Sequence, residues 1–151
     1  MSTAPMRRIH LSLASQYENI DLVDSIAESC LRFAGFDETV TEHMTLAIRE
    51  AAANAIKHGN KQDPDKIAEV IFEIDDETIT IRISDQGEGF DPDSLPDPLA
   101  PENILKGTGR GIFLMRQLMD HVEFGFDDGS RVLMRKNRPD GARAAAQEEE
   151  Q

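Results

Sequence analysis

The sequence has few of the residues that stabilise small secreted domains or anchor a chain in a membrane. Of its 151 residues, one is cysteine, one is tyrosine and none is tryptophan. A single cysteine excludes an internal disulfide framework and a zinc site built from several cysteines. No apolar run approaches the roughly 18 residues that a membrane-spanning helix needs, and no apolar signal-peptide segment follows the N-terminus. We therefore expect a cytoplasmic protein that does not contact a membrane.

Basic residues are also scarce relative to acidic ones. Sixteen Lys and Arg stand against 29 Asp and Glu, which gives a formal net charge of −13. Direct nucleic-acid binding is not expected, because it requires a basic surface that releases the counterions of the phosphates. The length fits one domain, and 39% hydrophobic residues suffice for a core. We predict a folded domain over residues 1–138 and a disordered acidic tail over residues 139–151.

The spacing of apolar residues predicts five strands and three helices. Strands are predicted at residues 8–14, 66–75, 78–84, 122–126 and 132–134, and helices at 16–34, 37–58 and from Gly109 onward. Gly35 is expected to end the first helix, and Asp37 to cap the second. Short links between neighbouring strands indicate hairpins. The predicted fold class is therefore α+β: a two-layer sandwich with a mixed, mostly antiparallel sheet of about five strands and three helices on one face.

Residues 87–108 interrupt these patterns. Four of the seven prolines lie in this segment, among several aspartates. Neither a helix nor a central strand tolerates so many missing backbone N–H groups. A loop is predicted here.

A polar stripe runs along the second predicted helix. Glu50, Asn54 and His58 follow one another at intervals of four residues, so each advances by about 40° around the helix axis. The stripe adjoins the apolar arc that faces the core, and the small side chains of Ala47 and Ala51 leave room beside it for a ligand. The solvated face of an ordinary alanine-rich amphipathic helix explains the same pattern equally well.

A carboxylate and two glycines follow the isoleucine-rich strand at 78–84. Asp85 comes directly after that strand, and Gly87 and Gly89 would let a flat ligand approach the backbone. The carboxylate is suited to accept a hydrogen bond from an exocyclic amine such as that of adenine. An Asx turn explains the same three residues without any ligand.

A glycine-rich run opens the third predicted helix at residues 106–112. Successive backbone N–H groups at a helix N-terminus form an anion site, and glycines let a phosphate come close. The run matches neither the dinucleotide fingerprint nor the P-loop. Each of the three segments is a weak signal alone, but their order along the chain indicates a nucleotide site.

Together the three segments resemble the signature of a known superfamily. Glu50-x-x-x-Asn54-Ala-x-x-His58-Gly59 resembles the N box of the GHKL (Bergerat-fold) ATP-binding superfamily. Asp85-x-Gly87-x-Gly89 is similar to its first glycine box, and Gly107-x-Gly109-x-Gly111 to its second. In size and sequence the chain further resembles the bacterial anti-sigma-factor serine/threonine kinases, from about residue 8 to residue 137.

The resemblance implies a role for each matching residue. Asn54 would ligate the Mg²⁺ that bridges the ATP phosphates, and Glu50 would be the general base toward the incoming hydroxyl. Asp85 would read the adenine, and the segment 87–108 would form a lid. The other implied nucleotide contacts come from the two glycine boxes and the last hairpin: Gly87, Gly89, Gly107, Thr108, Gly109, Arg110, Gly111 and Ser130.

The resemblance also implies partners. It points to an ATP-dependent serine/threonine protein kinase that binds a sigma factor as an anti-sigma factor and phosphorylates a STAS-domain anti-sigma-factor antagonist. A homodimer is implied as well. The alternative from another class is a nucleotide-gated binding module without kinase activity. The catalytic half of a sensor histidine kinase is ranked lower, because no two-helix dimerisation segment is recognisable ahead of the domain.

Overall fold

The computed structural model describes residues 7–87, 110–125 and 129–142. The strands and α-helices in these ranges are β1 (Arg7–Ala14), α1 (Ile20–Ala34), α2 (Glu38–Asn54), β2 (Ile67–Ile74), β3 (Thr78–Ser84), α3 (Arg110–Leu118), β4 (His121–Gly125) and β5 (Arg131–Asn137). A 3₁₀ turn, Tyr17–Asn19, precedes α1, and a π-helical turn, Ala55–Gly59, follows α2. The first predicted helix therefore starts with a tighter turn than the apolar spacing indicated.

The five strands form one sheet in the order β1-β2-β3-β5-β4, and all four neighbouring pairs are antiparallel. The prediction of a mixed sheet is thus wrong in this detail, while the α+β class is confirmed. Strands β3 and β4 run in the same direction, because each of them is antiparallel to β5. They are not neighbours, because β5 lies between them and runs the opposite way.

The helices cover one face of the sheet, and the core lies between the two layers. Alternate residues of β2 and β3 face the helices, among them the fully buried Phe72 and Ile81. Met44 and Ile48 reach the same core from α2, which lies between α1 and α3. The predicted two-layer sandwich is confirmed. Among the helices of the described ranges, none combines the length and apolarity needed to cross a bilayer.

Several local signals act as predicted. Gly35 ends α1 with a φ of 99°, in the left-handed region that glycine adopts without strain. The side chain of Asp37 caps α2, since its Oδ1 accepts a hydrogen bond from the Val40 N–H at 2.8 Å. Between β2 and β3, Asp75 Oδ1 accepts bonds from the backbone of the turn, including the Thr78 N–H at 2.7 Å. Capping and turn chemistry are local, so the sequence is sufficient to predict them.

Beyond β5 the chain crosses to the end of α1. Arg138 donates from Nε to the Ala34 carbonyl oxygen at 3.0 Å and from Nη1 to the Asp75 carbonyl oxygen at 2.9 Å. A Cβ on Gly35 would come within 2.4 Å of the Ala142 Cβ, so this segment packs closely on the helix end. Residues 139–142 of the predicted tail belong to the described part of the chain, and residues 143–151 lie outside it. Of the predicted lid, residues 88–108 lie outside the description too.

Candidate functional site

Asp85 is the buried acidic group immediately after β3. Only 8% of it is exposed. Its backbone N–H donates to the Ser130 carbonyl oxygen at 2.9 Å, which joins it to the start of β5. Its Oδ1 accepts two further backbone bonds, from Gly87 N–H at 2.9 Å and Ser130 N–H at 3.0 Å. A carboxylate bound by two N–H donors has a defined orientation, which a recognition group requires.

Three glycines close around this carboxylate. A Cβ on Gly59 would lie 2.0 Å from Asp85 Oδ2, and one on Gly87 would lie 2.0 Å from the Gly59 carbonyl oxygen. Gly129 has a φ of +108°, and a Cβ there would lie 2.2 Å from the Asp85 carbonyl oxygen. A side chain at Gly87 or Gly129 would displace backbone, and one at Gly59 would displace the Asp85 carboxylate itself. We call Gly59, Asp85, Gly87, Gly129 and Ser130 the Asp85 cradle.

The end of α2 reaches the cradle through a wider helical turn. The sequence predicted an α-helix to residue 57 or 58, but the α-helical part ends at Asn54. Residues 55–59 form a π turn instead, because the Asn60 N–H donates to the Ala55 carbonyl oxygen, five residues back, at 2.8 Å. The extra residue in this turn places Gly59 against Asp85. Single π turns of this kind frequently occur at functional sites.

Glu50 and Asn54 occupy the last turns of α2, just before the π turn. Glu50 is half-buried and Asn54 is exposed, while the adjoining Ala47 and Ala51 are buried. This is the predicted polar stripe at the edge of the core-facing arc. Helix α3, which begins within the second glycine box, packs beside α2.

Four of the predicted nucleotide contacts, Gly89, Gly107, Thr108 and Gly109, lie outside the described residues. Arg110 and Gly111 form the first turn of α3, for which the backbone alone is described. Ser130 is half-buried and bonded to Asp85, so it lies at the predicted site. The roles of all these residues remain predictions.

The charge beside Glu50 on the helix is directed elsewhere. The Arg49 guanidinium hydrogen-bonds Asp24 on α1 and lies 3.6 Å from an oxygen of Asp21. The hydrogen bond to Asp24 is the main cause of a raised pKa for Arg49. Because Arg49 pairs with acidic residues of α1, its positive charge is directed away from Glu50, the candidate base.

Sequence reasoning gave no site role of their own to four residues that shape the site: Gly59, Asn60, Gln86 and Gly129. Gly59 was the last residue of the N-box resemblance, and Gly129 was the neighbour of the predicted contact Ser130. Asn60 and Gln86 are polar residues that no motif in the sequence specifies, and no spacing predicts that Asn60 is completely buried. Of these four residues, Gly59 carried a usable signal, because a glycine directly after the polar stripe permits close backbone approach.

Comparison with known proteins places this site in a family. The family model described as histidine kinase-like ATPase domain matches residues 13–136, which include α2, the Asp85 cradle and α3. The serine-protein kinase RsbW of Listeria innocua is 29% identical over 135 residues, covering 85% of this chain and 86% of the relative. Proteins of the same name are 34% identical in Staphylococcus epidermidis, covering 85% of each chain, and 28% identical in Bacillus cereus, covering 85% and 84%. The superfamily inferred from the three motifs is thus confirmed, and the chain belongs to the histidine kinase-like ATPase domain family.

Proposed function

We propose that this protein is an ATP-dependent serine/threonine protein kinase and anti-sigma factor. In this proposal it binds a sigma factor, and it transfers the γ-phosphoryl group of ATP to a STAS-domain anti-sigma-factor antagonist. The observation that carries the proposal is the Asp85 cradle at the end of the helix that bears Glu50 and Asn54. The relatives named serine-protein kinase RsbW support the kinase activity. The motif resemblance supports the two protein partners.

The cradle suits the base of a purine nucleotide. Both backbone donors that orient the Asp85 side chain bond to Oδ1, and we assign Oδ2 to the exocyclic amine of adenine. The glycine backbone at Gly59 and Gly87 gives a flat ring access that side chains would block. Guanine presents a carbonyl oxygen where adenine has its amine, so it would place two acceptors face to face. ATP is therefore preferred over GTP.

The residues present also fit Mg²⁺ that is bound together with the nucleotide. The described part of the chain contains no group of three or more His, Cys, Asp or Glu side chains that would hold a metal alone. A single neutral amide oxygen, that of the exposed Asn54, suits an ion that takes its other ligands from phosphate oxygens and water. When bound, the ion would neutralise charge on the phosphates.

Glu50 is the proposed general base. It lies one helical turn before Asn54, so a hydroxyl that approached a phosphate held at Asn54 would also come near this carboxylate. Glu50 accepts the proton of the serine or threonine, the hydroxyl oxygen bonds to the γ-phosphorus, and the bond to the β-phosphate oxygen breaks to release ADP. Closure of segment 87–108 as a lid would exclude water and so favour transfer over hydrolysis.

A homodimer is part of the proposal, and one face of the sheet supports it. Among the described residues no helix covers this face, and we call it the helix-free face. The chain carries −13, so two copies repel each other over most of their surfaces. On the helix-free face the outward charges nearly balance, with Arg8, Arg82, Arg131 and Arg135 against Glu69, Glu73 and Glu123. A groove on this face has apolar walls from Ile67, Ile71 and Leu133. In sedimentation equilibrium we expect a dimer for the wild type and a monomer for the Leu133→Asp variant. A monomeric wild type would contradict this part of the proposal.

The kinase proposal is tested by mixing the protein with Mg-ATP and a panel of STAS-domain proteins and measuring phosphoprotein. Glu50→Ala is expected to slow transfer by about 10²- to 10⁴-fold while ATP still binds, because the base acts on the acceptor hydroxyl. Asn54→Ala should weaken Mg-dependent ATP binding as well. Glu42→Ala, an exposed change two turns earlier on α2, is the matched control and should be silent. Undiminished transfer in both site variants would remove this mechanism.

A different outcome would favour the binding-module alternative. The wild type would then capture a sigma factor or an antagonist stoichiometrically in the presence of ATP, without forming phosphoprotein. ATP would in that case act only through a difference in its affinity for two states of the protein.

A further inference from the structure

Asn60, directly after the π turn, is a completely buried polar residue with an exposure of 0%. Its N–H donates to the Ala55 carbonyl oxygen at 2.8 Å, and its carbonyl oxygen accepts from the Asp63 N–H at 3.0 Å. Its side chain accepts at Oδ1 from the Gln86 N–H at 2.7 Å and donates from Nδ2 to Ser15 Oγ at 2.7 Å. A buried amide is tolerated only when its polar atoms are paired, and here both ends of the side chain are.

These bonds join three segments that are distant in sequence. Ser15, directly after β1, extends the network, because its Oγ donates to the Lys66 carbonyl oxygen at 2.7 Å. Gln86 lies between Asp85 and Gly87 of the cradle, and its own side chain accepts from the Ile67 N–H at 2.8 Å. The start of β2 therefore holds the Gln86 side chain, whereas Asn60 holds its backbone.

We propose that Asn60 is a positioning residue for the adenine site. It touches neither the proposed nucleotide nor the reacting atoms and acts through Gln86. Because Gln86 is the middle residue of the Asp85–Gly87 turn, a shift of its backbone moves the carboxylate that reads the base. The backbone N–H of the same residue closes the π turn that presses Gly59 against Asp85, so the Asn60 side chain holds one wall of the cradle and its backbone the other.

Ser15 separates this role from a purely structural one. It is as completely buried as Asn60 and belongs to the same network. However, within the described part of the chain its hydrogen bonds go to Asn60 and Lys66 and none reaches the Asp85–Gly87 turn. Ser15→Ala thus removes buried hydrogen bonds while the Asn60–Gln86 bond stays in place. If Asn60 matters only for stability, the two variants will behave alike.

The inference rests on the proposed ATP binding, and its test measures ATP and ADP affinity by calorimetry below the melting temperature of every variant. Asn60→Ala should weaken ATP and ADP by the same factor, about tenfold, because the lost alignment concerns the shared base and not the phosphates. In the kinase assay the KM for ATP should rise while kcat at saturating ATP stays within about twofold. Ser15→Ala should lower the melting temperature and leave both affinities within about twofold.

Hydrogen exchange provides a readout that needs no nucleotide. The amides of Gln86 and Gly87 should lose protection in Asn60→Ala and keep it in Ser15→Ala. Should Asn60→Ala not fold, Asn60→Ser takes its place, because its side chain is polar but too short to reach the Gln86 N–H.

Three results would overturn the inference. One is wild-type nucleotide affinity in a folded Asn60 variant, and another is equal weakening in the Ser15 variant. The third is unchanged exchange at Gln86 and Gly87. Failure of the proposed function gives a different result: the wild-type protein itself would then bind neither ATP nor ADP. That measurement comes before any variant is made.

Discussion

The sharpest test of the nucleotide site is Asp85→Asn, which changes the chemistry of one group and keeps its shape. The new amide oxygen can take the place of Oδ1 and accept the same bonds from Gly87 and Ser130. The fold of the cradle is therefore expected to survive. At the other position an NH₂ group replaces the Oδ2 that we assign to the adenine amine, so two donors would face each other.

The size of the effect follows from what is lost. A hydrogen bond to a charged group contributes about 1.5–3 kcal/mol, and the donor that replaces the acceptor has no partner on the base. This corresponds to ATP binding that is about 10- to 150-fold weaker. Because two charge-assisted backbone bonds to Oδ1 become neutral ones, the free energy of unfolding should also fall, by about 1–2 kcal/mol.

Calorimetric titration with Mg-ATP, together with thermal unfolding, measures both quantities. Asp76→Asn is the matched control, because Asp76 is exposed to the same 8% as Asp85. It lies in the turn before β3, and the seven residues of that strand separate the two positions by about 23 Å at 3.3 Å per residue. The control should bind ATP normally. A folded Asp85→Asn protein with wild-type ATP affinity would refute the assignment, as would equal weakening in the control.

Four further outcomes, at Gly59, Phe72 and Cys30, test the site and the core. Gly59→Ala should abolish ATP binding, since its Cβ would lie 2.0 Å from Asp85 Oδ2, whereas Gly141→Ala, with nothing within 4 Å of its Cβ, should bind normally in the same titration. Phe72→Ala should lower the free energy of unfolding by about 3–5 kcal/mol in a denaturant titration, because a fully buried ring leaves a cavity; a loss below about 1 kcal/mol would contradict the packing. Burial raises the pKa of Cys30 from 9.0 to about 11, so native protein at pH 8 should be alkylated about 100-fold more slowly than unfolded protein. The unfolded thiol ionises first, so the stability that this burial contributes is complete below pH 9 and is lost as the pH rises to about 11. A Cys30→Ala variant whose free energy of unfolding falls with pH as steeply as that of the wild type over this range would contradict the prediction.

The apolar spacing of the chain was sufficient to predict the architecture. Val70, Phe72, Ile79 and Ile81 alternate along their strands because a half-buried strand exposes every second side chain. The hairpin between these strands follows from the three-residue link that Asp75 begins. Topology was less accessible: the position of β5 between β3 and β4 depends on strand pairing across the whole domain, which no local pattern encodes.

At the candidate site, the functional groups could be read from neighbouring residues: a carboxylate and an amide on one helical stripe, and an acid followed by glycines after a strand. These follow from fixed helix and strand periodicities, which need only neighbouring residues. Tertiary structure alone decided that Gly59 meets Asp85 and that Asn60 is buried at the junction. Asn60, whose N–H closes the π turn, has its side-chain partners on Ser15 and Gln86, which are 45 and 26 residues away. Hydrogen bonds over such separations exist only after the chain has folded, so no periodicity in the sequence records them.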